Sequence, residues 1–179
     1  MFTFIALSFC ALLAGLLALV TVGVRQCPDL WRRLPRERWL GTFLAMLCLA
    51  WAAWHAVPML EGGLARFRIV VVALVPIITV LSFGKLNYLF ARALGGLCLL
   101  LLTYMLHLAF TIQLPARVVF AAGCYLLVVV AMWQVAAPWY FRDALRKAAE
   151  TPRWRGRLAG VIGAFLVFFL VFALLPLLG

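Results

Sequence analysis

Long apolar runs alternate with short polar segments along the chain. Six such runs can be read, at residues 4–24, 40–57, 69–84, 86–111, 118–137 and 158–178. A helix of ~20 residues crosses the ~30 Å hydrocarbon core of a bilayer. Because lipid offers no partners to backbone N–H and C=O groups, runs of this kind must be helical. The pattern predicts an all-α fold: a polytopic transmembrane helical bundle with six spans.

The composition makes a water-soluble domain implausible. Hydrophobic residues are 68% of the 179-residue chain and charged residues are 12%, whereas an ordinary soluble domain is about half apolar and about a quarter charged. Too little polar surface is present to cover the fold in water. We therefore interpret residues 1–179 as a single integral membrane domain.

Basic residues are distributed unevenly between the loops. Three alternate loops contain 13 of the 16 Lys and Arg residues, mainly in segments 25–39 and 138–157. Basic loops stay in the cytoplasm, so both segments are predicted to be cytoplasmic and both termini to lie on the outer side, in what we expect is a bacterial inner membrane. The net charge of +11 follows from this topology and from attraction to anionic lipids. We expect no nucleic-acid partner.

The second basic segment contains a predicted helix that begins at Pro138 and ends before Pro152. Asp143 and Lys147 within it have the i,i+4 spacing that favours an ion pair. We interpret this segment as an interfacial helix lying on anionic lipid, with the docking of a cytoplasmic partner as the alternative. The candidate contacts for either role are Arg32, Arg33, Arg36, Arg142, Arg146, Lys147, Arg153 and Arg155.

The histidines His55 and His107 stand out because each lies within an apolar run. Thr103, Tyr104 and Thr111 lie near His107 on one face of the predicted fourth helix. Polar groups in a span usually face the protein interior or a water-filled cavity. We therefore predict that this face packs inward, with both histidines near the outer headgroups.

Three hypotheses fit this polar face. In the first, neighbouring hydroxyls, carbonyls or interfacial water satisfy each histidine. In the second, the face formed by Thr103, His107 and Thr111 is one wall of a substrate or ion path. In the third, His55 and His107 are the ligands of a b-type haem or another metal, since imidazole is a common haem ligand. We expect no cofactor, because two histidines alone are a weak signal.

Small residues recur at four-residue spacing in the first and last runs. They include Ala11 and Gly15 in the first, and Ala159, Gly160 and Gly163 in the last. Such spacing lets helix backbones approach closely in lipid. We predict packing surfaces at these positions, either within the bundle or against another subunit.

Sequence patterns typical of catalysis are absent. The chain contains no phosphate-binding loop, H-E-x-x-H or G-x-S-x-G pattern, and its five cysteines include no C-x-x-C pair. These observations predict a non-catalytic protein, a structural, assembly or scaffold subunit of a membrane complex. The alternatives are a small channel or transporter and a haem-containing redox protein. Expected partners are the lipid bilayer, including anionic lipids, and other subunits or further copies of this chain.

Overall fold

The computed structural model describes residues 1–27, 29, 33–85 and 88–178, and this part of the chain is almost entirely helical. In chain order the helices are α1 Phe2–Gln26, α2 Arg38–Met59, α3 Arg68–Lys85, α4 Leu89–Thr111, α5 Arg117–Ala136, α6 Trp139–Glu150 and α7 Pro152–Leu178. Within α1, Leu19–Gly23 forms a π-helical segment. Short 3-10 segments, Leu34–Arg36 and Gly62–Phe67, precede α2 and α3.

Six helices of the described chain are long and apolar enough to cross a membrane, as the pattern of apolar runs predicts. The last of them begins at Pro152 rather than near residue 158. Proline suits the first position of a helix because no hydrogen bond from its nitrogen is needed there. Trp154, Arg155 and Arg157 follow it, and they lower the hydropathy of this turn. Residues 86 and 87 of the predicted fourth run lie outside the described residues.

The helices pack as a bundle in which α4 is central. It contacts α2, α5 and α1, while α1 packs along α7 and α3 packs on α2. The helix α6 lies across one end, where its buried Leu145 and Ala148 contact Val20 and Val24 of α1. We call this the basic end, since α6 and the first turns of α2 and α4 carry basic residues there.

The opposite end of the bundle holds the beginning of α1 and the end of α7, and we call it the terminal end. The ring of Phe120 in α5 lies 5.7 Å from that of Phe2 in α1 and 5.2 Å from that of Phe172 in α7, between ring centroids. Phe169 joins the same buried cluster at 5.7 Å from Phe120. Phenylalanine rings therefore fill the interior between α1, α5 and α7. That the terminal end faces outward stays a prediction from the charge distribution.

Close helix approach occurs at glycines other than those predicted. A Cβ atom on Gly41 would lie 2.6 Å from the backbone nitrogen of Phe90, so α2 packs directly on the start of α4. By contrast, a Cβ on Gly15, Gly160 or Gly163 would meet nothing within 4 Å. Within the described chain these three glycines therefore make no close contact with another helix, and packing of these positions against another subunit stays a prediction.

Candidate functional site

A cluster of arginines surrounds Tyr88 at the basic end. Arg36 Nη2 and Arg142 Nη1 both donate to the Tyr88 hydroxyl oxygen, at 3.3 Å and 2.9 Å. Tyr88 immediately precedes α4 and has left-handed backbone angles, φ 60° and ψ 38°. This conformation is strained for a bulky residue. The cluster thus joins the segment before α2, the start of α4, and α6 through one phenol.

Arg142 makes a second polar contact, with the carboxylate of Asp143. Its Nη2 and Nε atoms donate to Asp143 Oδ1 at 2.8 Å and 3.0 Å. The predicted ion pair between Asp143 and Lys147 is therefore wrong. Lys147 instead lies over the ring of Trp154, with Nζ 5.5 Å from the ring centroid.

Positive charge dominates the electrostatics of this cluster. The hydrogen bond from Arg36, with the charge of Arg142, lowers the pKa of the Tyr88 phenol below its ordinary value. The hydrogen bond to Asp143 raises the pKa of Arg142. Within the described residues, the buried Nε atoms of Arg92 and Arg146 have no hydrogen-bond partner. An anionic oxygen is the acceptor that such donors bind most strongly.

The other candidate basic residues lie around this cluster or beyond it. Arg33 and Arg153 are exposed, and Arg155 is half-buried. Arg32 lies outside the described residues. The structure therefore brings together Arg36 and Arg142 of the predicted set, and it adds Tyr88, which the sequence did not single out.

The polar face of α4 lies on the outside of the bundle. Thr103, His107 and Thr111 are exposed, as is His55 on α2. The prediction that this face packs inward is therefore wrong for the single chain. The reason is that Leu102, Met105 and Ala109 occupy the inward face of α4, where all three are fully buried.

Tyr104 connects the polar face of α4 to α2. Its ring centroid lies 5.3 Å from that of His55 and 6.0 Å from that of Trp51. Thr111 Oγ1 donates to the carbonyl oxygen of His107 at 2.9 Å. His55 is therefore held in an aromatic cluster, whereas the imidazole of His107 is presented to the surroundings of the bundle.

No group of three or more His, Cys, Asp or Glu side chains that could hold a metal ion occurs in residues 1–27, 29, 33–85 and 88–178. A haem held by two histidines, His55 and His107, stays a prediction.

A cavity of about 490 Å³ lies between α1, α4, α5, α6 and α7, towards the basic end. This volume is within the ~300–1,000 Å³ typical of small-molecule sites. Apolar side chains dominate its wall, including Leu16, Leu102 and Phe165. Gln134 also lines it, but its Nε2 donates to the carbonyl oxygen of Ala91 at 3.0 Å. The cavity wall therefore offers little for a polar ligand.

Neither the cavity nor the role of Tyr88 could be found from the sequence. The turn near Tyr88 is readable from its polar residues, but its contacts with Arg36 and Arg142 depend on how distant segments pack. Comparisons with protein-family models, with curated proteins and with solved structures found no match to this chain. The inference of function therefore rests on this chain's own residues.

Proposed function

We propose that this integral membrane protein is a non-catalytic subunit of a membrane complex, with a structural, assembly or scaffold role. The observation that carries the proposal is the exposed polar face of α4, with His107 and Thr103 on the outer surface of a spanning helix. Polar side chains in spans usually face protein. A helix of another subunit, or of a second copy, would cover these groups and supply hydrogen-bond partners.

The interior of the bundle gives further support. Among the described residues, Thr79 and Ser82 are the buried polar residues, and both lie on α3. Phenylalanine rings occupy the centre of the bundle at the terminal end. A water-filled path would need polar groups there, so a path through the middle of one chain is less well supported. Under this proposal the basic end faces the cytoplasm of a bacterial inner membrane.

Site-specific photo-crosslinking in intact membranes tests the proposal. A benzophenone side chain is introduced at position 107 or 103, and at position 80 as a matched control. Val80 is 72% exposed on α3, so it is exposed like the test positions but is apolar. We expect a protein adduct of one discrete mass from positions 107 and 103, and none from position 80. Equal adducts from all three positions, or none, would contradict the proposal.

A second measurement examines the strength of this contact. Interhelical hydrogen bonds in membranes contribute about 0.6 kcal/mol on average and up to about 1.7 kcal/mol. Replacing His107 with Leu should therefore reduce retention of the partner in mild detergent by about 3- to 20-fold. The control is Val80→Leu, which should leave retention unchanged.

Two outcomes would favour the alternative functions. Saturable uptake by the purified protein in liposomes, lost in Thr103→Val, would indicate a transporter whose path runs along the exposed face. A Soret band lost in both His55→Ala and His107→Ala would indicate a haem protein. We expect a colourless protein that moves no solute by itself.

A further inference from the structure

The cavity near the basic end opens sideways, towards the surroundings of the bundle. Its lining residues Val130 and Trp133 on α5 are each 58% exposed, and Val161 on α7 is 56% exposed. Nearer the terminal end, α5 and α7 approach closely, since a Cβ on Gly123 would lie 2.5 Å from the ring of Phe168. The opening therefore lies where the two helices separate, directly beside α6.

The position and lining of this opening fit one class of ligand. In a spanning bundle, the surface between α5 and α7 faces lipid chains, and the cavity lies near one headgroup layer. Water does not enter apolar cavities of this kind. If such a cavity is empty, the atoms of its wall lack partners for dispersion contacts. A hydrocarbon chain from the bilayer can restore those contacts without leaving an apolar environment.

Basic and aromatic residues surround the opening on the side of the basic end. Arg157 lies four residues before Val161 and therefore on the same face of α7, one turn closer to that end. Tyr140 of α6 lines the cavity, and Lys147, seven residues later, lies on the same face of that helix. The Nζ atom of Lys147 lies 5.5 Å from the centroid of the Trp154 ring. Arg157 and Lys147 are both exposed and can contact an anionic headgroup.

We propose that this cavity binds one acyl chain of an anionic phospholipid, whose phosphate contacts Lys147 and Arg157. Tyr140 lies at the boundary between the two parts of the ligand, with its ring 5.7 Å from that of Trp133. Amphipathic rings are enriched at this depth of membrane proteins. The π-helical segment of α1 contributes Leu19 and Val20 to the opposite wall. Segments of this kind recur at functional sites.

Selectivity should come from the headgroup rather than from the chain. Lipid chains are as apolar as the cavity wall, so entry of the chain gains no hydrophobic free energy. Each basic residue near an anionic lipid surface contributes about fivefold to binding. Replacing both Lys147 and Arg157 with Gln should therefore reduce retention of phosphatidylglycerol about 30-fold. Retention of phosphatidylcholine should fall much less, because its choline cation offsets the charge of its phosphate.

The first test uses the unaltered full-length protein in bilayers. Phosphatidylglycerol carrying a diazirine in its acyl chain is photolysed, and the labelled peptides are mapped by mass spectrometry. We expect labelling concentrated on the cavity wall around Val130 and Val161, above that of exposed positions on α3 such as Ile77. Labelling spread evenly over α3, α5 and α7 would overturn the proposal. Occupation of the opening by a helix of another protein would also overturn it, and would appear as loss of labelling at Val130 and Val161 in native membranes.

The second test fills the cavity. Ala144 of α6 lines it, so Ala144→Phe should lower the retention of both phospholipids in native mass spectrometry. Ala73→Phe, at an exposed position of α3, is the matched control for side-chain size. Arg66→Gln, at the terminal end, is the control for loss of a basic residue. Unchanged retention in an Ala144→Phe protein with wild-type helicity would contradict the proposal, and the labelling test decides if that variant fails to fold.

Discussion

Replacing Phe120 with Ala tests whether aromatic packing holds the bundle together. Phe120 is 0% exposed, and its ring lies 5.7 Å, 5.7 Å and 5.2 Å from the rings of Phe2, Phe169 and Phe172. Each aromatic pair contributes about 0.5–1.5 kcal/mol, so the three pairs together contribute about 1.5–4.5 kcal/mol. A Phe→Ala change in a soluble core costs ~3–5 kcal/mol, which includes transfer from water.

That transfer contribution is small here, because helices that separate in a micelle remain in an apolar medium. We therefore expect Phe120→Ala to lower the free energy of unfolding by about 1.5–4.5 kcal/mol, the contribution of the three aromatic pairs. The assay is equilibrium unfolding in mixed micelles with an increasing fraction of sodium dodecyl sulfate, followed by circular dichroism. Phe43→Ala is the matched control, since Phe43 is 59% exposed on α2. If the two variants unfold at the same detergent fraction, the ring cluster does not stabilise the bundle and the reasoning is refuted.

Two further predictions concern the Tyr88 phenol and the membrane topology. Because the folded protein lowers the pKa of Tyr88, the Tyr88 phenolate stabilises the fold at pH values above the pKa of the unfolded chain, which is ~10. This contribution disappears as the pH falls through the pKa of Tyr88 in the folded protein. Subtracting the alkaline absorbance titration of Tyr88→Phe from that of the wild type should isolate the titration of Tyr88, with a midpoint below ~10. Arg36→Gln should raise this midpoint. A midpoint for the unaltered protein of ~10 or higher would contradict the contacts at this phenol. For topology, the five native cysteines are first replaced. An impermeant maleimide should then label Glu61→Cys from outside, and Thr151→Cys only after the inner face is opened; labelling of both from one side would exclude the predicted orientation.

The number and approximate course of the spans could be predicted because hydropathy and length determine them in a membrane. The sequence did not allow us to predict which face of each helix packs inward. Leu102 and Val119 are both apolar, yet Leu102 is 0% exposed and Val119 is 56% exposed. When lipid and protein are equally apolar, shape decides which face packs inward. Because shape decides the packing, the polarity of the His107 face led to the wrong prediction that this face packs inward.

The candidate sites were predicted only in part, because their geometry depends on contacts between distant segments. The basic residues of α6 were singled out from charge alone, and Arg142 does bind Tyr88. The partner of Asp143 was misassigned, since i,i+4 spacing favours Lys147 while the carboxylate pairs with the adjacent Arg142, which also reaches Tyr88. The cavity required the separation of α5 and α7, which no local pattern encodes.

The packing of α1 along α7 has a consequence for biogenesis. The helix α1 is synthesised well before α7, and each is a principal neighbour of the other. Contacts between such distant segments form late, so α1 resides in the bilayer without this partner until α7 has been inserted. Phe9, whose ring lies 4.9 Å from that of Phe169, stays in contact with lipid during that interval. A nascent chain interrupted before α7 would therefore be inserted yet incompletely packed, which makes it a substrate for membrane quality control.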